Sequence, residues 1–258
     1  MLDLDDKVIL LTGASSGIGA ATAGVLGAAG AHVVAHYRSD QIDRAGADAA
    51  LASVPADRKL FLAADFAVPR AADELWQASL AWRGRIDVVV LNAAITKFSG
   101  GIEDDEASWE DAWSSQWQIN VMAPARLMRA AVPHFKSRGG GIFITFSSWN
   151  AQRGSTSPKQ IAYAASKGAL KAAAQTIARG YARDRILSYI IAPGIVRTKM
   201  SEDFAALQGG EEKVTATLAM GEWVPPIEIA HLVAFLATGK SRHLSGATLD
   251  VNGATYVR

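Results

Sequence analysis

The chain has 258 residues, with 26 Lys plus Arg against 25 Asp plus Glu, and a formal net charge of +1. This balance lacks the basic surface that nucleic-acid binding usually requires, so no nucleic-acid partner is predicted. Half of the residues are apolar and 20% are charged, which is typical of a folded globular protein and excludes general disorder. The absence of cysteine excludes disulfides, thiol nucleophiles and iron–sulfur clusters, and the five histidines form no HExxH motif. We therefore predict no metal site.

No run approaches the ~18 uncharged apolar residues that a membrane-spanning helix needs, so we expect no membrane partner. Residues 1–6 are acidic, whereas secretory and transit peptides begin with a basic segment. These features favour a cytoplasmic protein.

Short, continuous apolar runs alternate with longer segments of helical character. The runs that we predict as strands are 8–12, 32–36, 59–64, 88–91, 142–146, 186–191 and 247–251. Runs without strict polar alternation suit strands that are buried on both faces of a parallel sheet. Helical segments between them imply βαβ units with right-handed crossovers. We predict an α/β fold with a doubly wound parallel sheet, as a single domain of residues 1–258.

Two segments depart from this alternation. Residues 108–111, Ser-Trp-Glu-Asp, match a helix-opening capping pattern. The helix that they open would carry Trp109, Trp113 and Trp117 on one face, a stripe that favours a core or subunit interface over a ligand site. Residues 193–226 have few strand signals and follow the sixth strand, so we predict a helical substrate lid there.

A glycine-rich turn at residues 12–19, TGASSGIG, directly follows the first predicted strand and opens the first predicted helix. Glycines at this spacing allow a tight turn and a close backbone approach to a pyrophosphate, whose charge lies at the helix N-terminus. The strand before it and the helix after it favour a dinucleotide site. A tight turn that binds nothing is the alternative.

The same turn satisfies G-x-S-x-G, the nucleophile motif of α/β-hydrolases, with Ser15 as the nucleophile. Asp and His residues follow downstream, so a serine hydrolase is a second alternative. Against it, the motif lies on the first strand, and no earlier loop supplies half of an oxyanion hole. Ile18 and Gly19 are needed for a dinucleotide but not for a nucleophile.

Tyr163 and Lys167 are four residues apart on a predicted helix, 161–182, which places both side chains on one face. A free tyrosine has a pKa of ~10, and lowering it by about three units requires roughly 4 kcal/mol. One ammonium ~4 Å away supplies about that much at an effective dielectric constant of ~20. The pair could therefore exchange a proton with an alcohol or a carbonyl, although the same spacing is common on solvent-exposed helices.

Four further motifs follow the predicted strands in chain order. They are Asn92-Ala93-Ala94, Asn120, Ser147-Ser148 and Pro193-Gly194. Together with the glycine-rich turn and the Tyr163–Lys167 pair, they resemble the short-chain dehydrogenase/reductase family in its single-domain Rossmann branch. The resemblance covers residues 7–253 and implies a Rossmann-like sheet and an oxidoreductase that acts on a CH–OH group with NAD or NADP.

The resemblance also implies a set of cofactor-binding residues. They are Gly13, Ser15, Ser16, Gly17, Ile18, Gly19, Tyr37, Arg38, Ser39, Asp65, Phe66, Asn92, Ala93, Ala94, Tyr163, Lys167, Pro193, Gly194, Ile195 and Thr198. Asp65 and Phe66 match the adenine contact, and residues 193–198 match the loop on the nicotinamide side. Ala94 departs from the glycine that is usual in the family, which reduces backbone freedom slightly.

The catalytic residues that the resemblance implies are Asn120, Ser148, Tyr163 and Lys167. Tyr163 would protonate the carbonyl oxygen or deprotonate the alcohol, and Lys167 would lower its pKa and hold the nicotinamide ribose. Ser148 would donate to the developing alkoxide, and Asn120 would anchor a proton-relay water. Ser147 is the alternative serine, but strand alternation points it to the other side.

The choice of cofactor rests on the charges that follow the second strand. Tyr37 stands where an NAD-binding acid is usual, and Arg38 can pair with a 2′-phosphate through bonds of about 1.5–3 kcal/mol each. Asp40 is interpreted as a helix N-cap, and Ser16 stands where a second basic residue is usual. These features predict NADP(H), with NAD(H) as the alternative.

The predicted walls of the substrate pocket mix aromatic and aliphatic side chains. They are Ile95, Thr96, Trp149, Asn150, Gln152, Met200, Phe204, Leu207 and Trp223. This lining favours a neutral or modestly polar carbonyl, although Lys97, Arg153 and Lys199 are close enough in sequence to serve an anionic group. The chain is similar to 3-oxoacyl-carrier-protein reductases, with NAD-dependent sugar or polyol dehydrogenases as the alternative.

Members of this family commonly assemble as tetramers, so the resemblance implies a homotetramer or a dimer. A face of small residues suits the helix pairing that such an assembly uses. It consists of Ala162, Ala165, Ala169, Ala172 and Ala173. A nucleotide-binding scaffold or sensor without turnover is the non-enzymatic alternative.

Overall fold

The computed structural model describes residues 3–38 and 41–258 of the chain. Within these residues, seven strands pair in parallel in the order β3-β2-β1-β4-β5-β6-β7. The strands are β1 (Val8–Leu11), β2 (His32–Tyr37), β3 (Lys59–Ala63), β4 (Val88–Leu91), β5 (Gly141–Phe146), β6 (Ile186–Pro193) and β7 (Thr248–Val251). The order reverses between β1 and β4, and a crevice opens there at the carboxyl ends of the strands.

Helices cover both faces of this sheet. They are α1 (Gly17–Ala28), α2 (Gln41–Ala50), α3 (Ala71–Arg83), α4 (Glu106–Trp117), α5 (Ala123–Ser137), α6 (Asn150–Arg153), α7 (Ile161–Gly180), α8 (Lys199–Leu207), α9 (Glu211–Thr215) and α10 (Pro226–Ala237). Ile9 packs into the core beneath α1 and α10, whereas its neighbour Leu10 packs beneath α3, α5 and α7. Among the described residues, no helix has both the length and the apolar character needed to cross a bilayer.

The predicted doubly wound parallel sheet is confirmed, and every predicted strand is present. β2 and β6 run further than predicted, to Tyr37 and Pro193, because their pairing with β3 and β7 continues beyond the apolar runs. α7 ends at Gly180, two residues before its predicted end, and a 3₁₀ turn follows. The predicted N-cap of α2, Asp40, lies outside the described residues.

The start of α4 differs from the prediction. Asp105 is the N-cap, since its carboxylate accepts from the Ser108 N–H at 2.9 Å and from the Ser108 hydroxyl at 2.8 Å. The indoles of Trp109 and Trp113 lie 5.1 Å apart, but Trp117 is 42% exposed, so the predicted stripe ends at the surface. A π-helical turn that contains Asn120 joins α4 to α5.

Residues 196–224, which we call the flap, extend beyond β6 and return to it. Val196 and Val224 form a parallel bridge, and the Val224 N–H donates to the Ile195 carbonyl at 2.9 Å. α8 and α9 lie between these ends, and Val214 of α9 packs with Trp149 in a separate apolar cluster. The segment predicted as a lid therefore carries two short helices, and its ends meet at the carboxyl end of the sheet.

Two glycines inside helices should respond to alanine in opposite ways. A Cβ at Gly168 would meet no atom within 4 Å, so Gly168→Ala should raise the free energy of unfolding by about 0.5–1 kcal/mol through reduced backbone entropy. A Cβ at Gly27 would overlap the Val54 side chain, so Gly27→Ala should lower it by about 1–3 kcal/mol. Urea unfolding followed by circular dichroism measures both, and equal destabilisation would contradict this packing.

Candidate active site

The segments that follow β1 to β6 converge on one cavity of about 710 Å³ at the reversal of strand order. The volume lies within the range of roughly 300–1,000 Å³ that ligand and cofactor pockets occupy. Because all strands are parallel, their carboxyl ends lie at one edge, and motifs far apart in sequence meet there.

The glycine-rich turn lines the cavity at the end of β1. Gly13 and Gly17 have positive φ angles of 71° and 51°, which glycine adopts without a steric penalty. A Cβ at Gly19 would overlap the Gly13 carbonyl oxygen, so the turn packs more closely than other residues allow. Ser16 caps α1 without a side-chain hydrogen bond, and the first-turn N–H groups have no partner within the helix. The turn therefore offers backbone donors at the positive end of a helix, which suits a phosphate.

Thr12 and Asn92 join this turn to the end of β4. The Thr12 hydroxyl donates to the Val90 carbonyl at 3.1 Å. It also accepts from the N–H groups of Asn92 and Ala93, at 2.9 and 3.1 Å. The Asn92 amide donates to the carbonyls of Thr12 and Gly13, at 2.9 and 3.1 Å. Asn92 therefore holds the turn in place as well as lining the cavity.

His36 lines the cavity although no sequence motif singled it out. Its Nδ1 accepts from the Gly13 N–H at 3.0 Å, and its Nε2 lies 2.8 Å from the Ala64 carbonyl, so a neutral ring protonated on Nε2 satisfies both contacts. The ring stacks on Phe66, with centroids 4.4 Å apart and planes 11° apart. Burial lowers the pKa of His36 to about 4, which keeps the ring neutral near pH 7. His36 thus joins the glycine-rich turn to the segment after β3.

Most residues that the resemblance assigns to the cofactor line this cavity. They are Gly13, Ser15, Ser16, Gly17, Ile18, Gly19, Arg38, Asp65, Phe66, Asn92, Ala93, Ala94, Tyr163, Lys167, Pro193, Gly194, Ile195 and Thr198. The structure corrects the prediction for Tyr37, which does not line the cavity and whose ring faces the Arg44 guanidinium at 5.9 Å. Successive strand residues point to opposite faces, so His36 and Arg38 reach the cavity instead. Ser39 lies outside the described residues.

An acid that sequence patterns missed, Asp43, lies between two predicted cofactor residues. Its carboxylate is 3.4 Å from the Arg38 Nε and accepts from the Ser15 hydroxyl at 3.4 Å. His36 is the histidine that lines the cavity within the described residues, and both of its nitrogens already have partners. No histidine base therefore serves Ser15, which the hydrolase alternative requires.

Ser147 and Ser148, which follow β5, point in different directions. The Ser147 hydroxyl donates to the Lys167 carbonyl at 3.0 Å. Ser148 accepts from the Asn150 N–H at 3.2 Å and is hydrogen-bonded to the Tyr163 phenol. Ser148 is therefore the serine beside the phenol, on the side that strand alternation predicts.

Tyr163 and Lys167 lie one turn apart on α7 and both line the cavity. Burial raises the pKa of Tyr163 to about 12, although the Ser148 hydrogen bond acts in the opposite direction. Burial also lowers the pKa of Lys167 to about 8. The predicted lowering of the Tyr163 pKa differs from this result, because the Lys167 ammonium donates to the Phe146 carbonyl at 2.9 Å and lies 5.8 Å from the phenol ring centre.

Asn120 is fully buried behind the cavity. Its Oδ1 accepts from the Ile95 N–H at 2.9 Å, and its Nδ2 donates to the Ile95 carbonyl at 2.9 Å and to the Ser166 hydroxyl at 3.1 Å. Both polar atoms of the side chain therefore already serve the protein, and a relay water held by Asn120 stays a prediction. The Asn120 side chain fixes the backbone of Ile95, which lines the cavity.

Two thirds of the predicted pocket walls line the cavity. They are Ile95, Thr96, Trp149, Asn150, Met200 and Phe204. The remaining three have other roles: Gln152 donates to Asp250, Leu207 is exposed, and Trp223 is buried with its indole N–H donating to Thr215 at 2.8 Å.

Comparison with known proteins identifies the family. The family model described as enoyl-(acyl carrier protein) reductase matches residues 13–254. Human dehydrogenase/reductase SDR family member 4 is 34% identical over 257 residues, which cover 99% of this chain and 89% of that protein. Oxidoreductase UcpA of Salmonella typhimurium is 29% identical over 263 residues, which cover 98% and 95%. The chain belongs to the short-chain dehydrogenase/reductase family and is an oxidoreductase.

A solved structure supports the same conclusion. The crystal structure of a 3-oxoacyl (acyl-carrier-protein) reductase from Agrobacterium tumefaciens C58 with NADP bound matches with a TM-score of 0.87 and 28% identity. The match covers 98% of this chain and 95% of that chain. The likeness therefore extends over nearly the whole of both proteins.

The cavity suits the NAD or NADP that this family binds. A Cβ at Gly17 would lie 2.9 Å from the Thr198 methyl group, so the turn after β1 and the loop after β6 close on one narrow space. The open N-terminus of α1 faces the same cavity. Among residues 3–38 and 41–258, no three His, Asp or Glu side chains are grouped as metal ligands.

Two substitutions of His36 separate its two hydrogen bonds. His36→Asn keeps an acceptor near the Nδ1 position for Gly13, whereas His36→Gln keeps a donor near the Nε2 position for Ala64. Since Gly13 belongs to the glycine-rich turn that we predict to bind phosphate, His36→Gln should raise the Kd for NADPH about tenfold, and His36→Asn by less than about threefold.

Fluorescence titration with NADPH measures both constants, and thermal unfolding checks that both variants fold. Equal weakening by the two variants would contradict a specific role for the Gly13 hydrogen bond.

Proposed function

We propose that this protein is an NADP(H)-dependent oxidoreductase that transfers a hydride between nicotinamide and a carbonyl or secondary alcohol. The observation that carries the proposal is the hydrogen-bonded pair of Ser148 and Tyr163, with Lys167 one turn further along α7, in the cavity that the glycine-rich turn also lines. A carbonyl oxygen bound beside this pair would meet two hydrogen-bond donors.

The residues around the cavity divide the work of cofactor binding. The N–H groups at the start of α1 would bind the pyrophosphate, and Asp65 and Phe66 would contact the adenine ring. Residues 193–198 would hold the nicotinamide side. When bound, the cofactor supplies or accepts the hydride.

The phenol moves the proton. Tyr163 Oη would donate it to the carbonyl oxygen during reduction and take it from the alcohol during oxidation. Ser148 would donate to the same oxygen as negative charge develops. Lys167, held by the Phe146 carbonyl, would place its positive charge beside the phenol and the ribose hydroxyls of the cofactor.

The buried environment of the phenol strengthens its hold on the proton. Burial raises the pKa of Tyr163 to about 12, so the phenol keeps its proton through the neutral range. A protonated phenol is the acid that carbonyl reduction needs, whereas alcohol oxidation needs the phenolate.

An activity like that of 3-oxoacyl-carrier-protein reductases is supported by the similar NADP-bound reductase from Agrobacterium tumefaciens. One observation favours the alternative, an NAD-dependent sugar or polyol dehydrogenase. Asp43 lies 3.4 Å from the Arg38 Nε, which places a negative charge near the expected position of a 2′-phosphate.

Assembly and location extend the proposal. Trp117 and Met122 are 42% and 38% exposed at the end of α4 and the turn after it, and apolar surface of this kind favours a homotetramer or a dimer. A cytoplasmic location is part of the same proposal.

Removal of the phenolic hydroxyl tests the proposed chemistry. In Tyr163→Phe, kcat for NADPH-dependent reduction of a ketone should fall by about 10²- to 10⁴-fold, because the proton donor is lost. The Kd for NADPH should change by less than about threefold, since the ring remains. Loss of NADPH absorbance measures turnover.

The pH profile of the wild-type enzyme gives a second readout of the same residues. Reduction should stay constant through the neutral range and decline above the Lys167 pKa of about 8, as its ammonium loses the proton. Oxidation should rise with pH as the phenolate fraction grows.

Full turnover in Tyr163→Phe would contradict the role of the phenol. Cofactor binding without turnover of any carbonyl would favour the scaffold or sensor alternative.

The cofactor preference can be tested with two neutralising substitutions at one ion pair. Arg38→Gln should raise the Kd for NADPH about tenfold, because a 2′-phosphate loses a charged partner. Asp43→Asn should lower it, because a repelling carboxylate is removed. Titration with NADPH and NADH, followed by energy transfer from tryptophan, measures both. A wild-type preference for NADH would contradict the NADP assignment and favour the sugar or polyol alternative.

A further inference from the structure

The charged residues that line the cavity differ between its two sides. On the β2 side, the acids Asp43 and Asp65 accompany Arg38. On the β5–β6 side, the described lining residues include cations and no acid. Besides Lys167, these cations are Arg153, Lys199 and Lys213.

Apart from Lys167, two of the cations on that side have no acidic partner among the described residues. Lys199 pairs with Asp203, and Lys97, which sequence proximity also favoured, pairs with Asp111 and does not line the cavity. By contrast, no Asp or Glu side chain among the described residues lies within 4.0 Å of Arg153 or Lys213. The acid next to Lys213 on α9, Glu211, pairs with Arg197 at 2.9 Å.

Arg153 lies on the short helix that follows Ser148. It ends α6, which begins two residues after Ser148, and its N–H donates to the Trp149 carbonyl at 3.1 Å. Its guanidinium carbon lies 4.0 Å from the Trp149 ring centre. Trp149 is buried, so the cation rests on a fixed surface. Stacking occupies the face of the guanidinium and leaves its N–H edge available to an anion.

Lys213 reaches the cavity from the flap, on α9. Its neighbour Val214 packs in the apolar cluster with Trp149, and its aliphatic stem lies against Gly209. Arg153 and Lys213 therefore line the same side of the cavity, from α6 and from α9. The glycine-rich turn follows β1, which β4 separates from β5 in the sheet, and the flap residue that it contacts is Thr198 at the start of α8 rather than a residue of α9.

We infer that Arg153 and Lys213 form an anion-binding subsite, and that the carbonyl substrate carries a carboxylate or a phosphate remote from its reacting carbon. The inference rests on the proposed function, since it names the substrate class of the Tyr163 site. Gln208 and Thr217, which also line the flap side, add neutral hydrogen-bonding groups. Two cations without an acidic partner among the described residues attract an anion and orient it, and both lie at the cavity surface, where solvent weakens each interaction.

The test compares charged and neutral forms of the same ketone. The first series consists of methyl ketones that carry a terminal carboxylate on chains of different length, and each acid is paired with its methyl ester. A parallel series carries a terminal phosphate instead. With NADPH, kcat/KM should be about tenfold higher for the best acid than for its ester. Arg153→Gln and Lys213→Gln should each reduce this ratio, mainly through KM, and added salt should reduce it as well. The series with the larger ratio identifies the anion.

Lys136→Gln is the matched control, because it also replaces a cation with glutamine. Lys136 lies on α5, pairs with Asp184 at 3.4 Å and does not line the cavity. It should keep the wild-type ratio, and Arg153→Lys should keep most of it. If the wild type reduces the esters with the same kcat/KM as the acids, the inference is overturned and the proposed function stays intact. Weaker NADPH binding in Arg153→Gln and Lys213→Gln would overturn it too, since the cations would then serve the cofactor. No turnover of any ketone, charged or neutral, would overturn the proposed function itself.

Discussion

The hydrogen bonds between Thr12 and Asn92 join β1 to β4 at the point where the strand order reverses, and the arrangement of the cavity depends on this junction. Parallel strands bring their carboxyl ends to one edge, but a crevice forms only where neighbouring strands lead their chains to opposite sides of the sheet. Here the turn after β1 must stay open toward the cavity while β4 ends beside it. The Asn92 amide supplies this restraint by holding the carbonyls of Thr12 and Gly13, which leaves the turn N–H groups directed elsewhere.

Around that junction, buried polar side chains act as fixed connections between loops. His36 connects the turn to Ala64, and Asn120 connects Ile95 to α7 through Ser166. A buried polar atom without a partner is costly, so each connection strongly favours a single loop arrangement. The same burial acts on the catalytic pair, where it favours the neutral forms of both Tyr163 and Lys167. Burial of polar groups therefore both favours single loop arrangements and shifts the pKa values of Tyr163 and Lys167.

The sequence predicts the sheet well because its strands are buried on both faces and appear as uninterrupted apolar runs. It predicts the glycine-rich turn and the Tyr163–Lys167 spacing for a similar reason, since each motif is local. The errors occur where the direction of a side chain decides the role. Tyr37 and His36 are neighbours on β2, and only the pleat determines which of them reaches the cavity. Asn120 has the expected residue type, but its partners come from distant loops. Lys213 was missed because only the folded flap brings it to the cavity.

The flap also links the two halves of the cavity. Thr198 is the N-cap of α8 and accepts from the Ser201 N–H, while its methyl group lies against Gly17 of the turn. α8, the first helix of the flap, therefore starts at the residue that contacts the glycine-rich turn. The bridge between Val196 and Val224 joins the two ends of the flap to each other just beyond β6. A side chain in place of Gly17 would then disturb both sides of the cavity at once, which explains structurally why glycine is required at a position that contributes no side-chain chemistry.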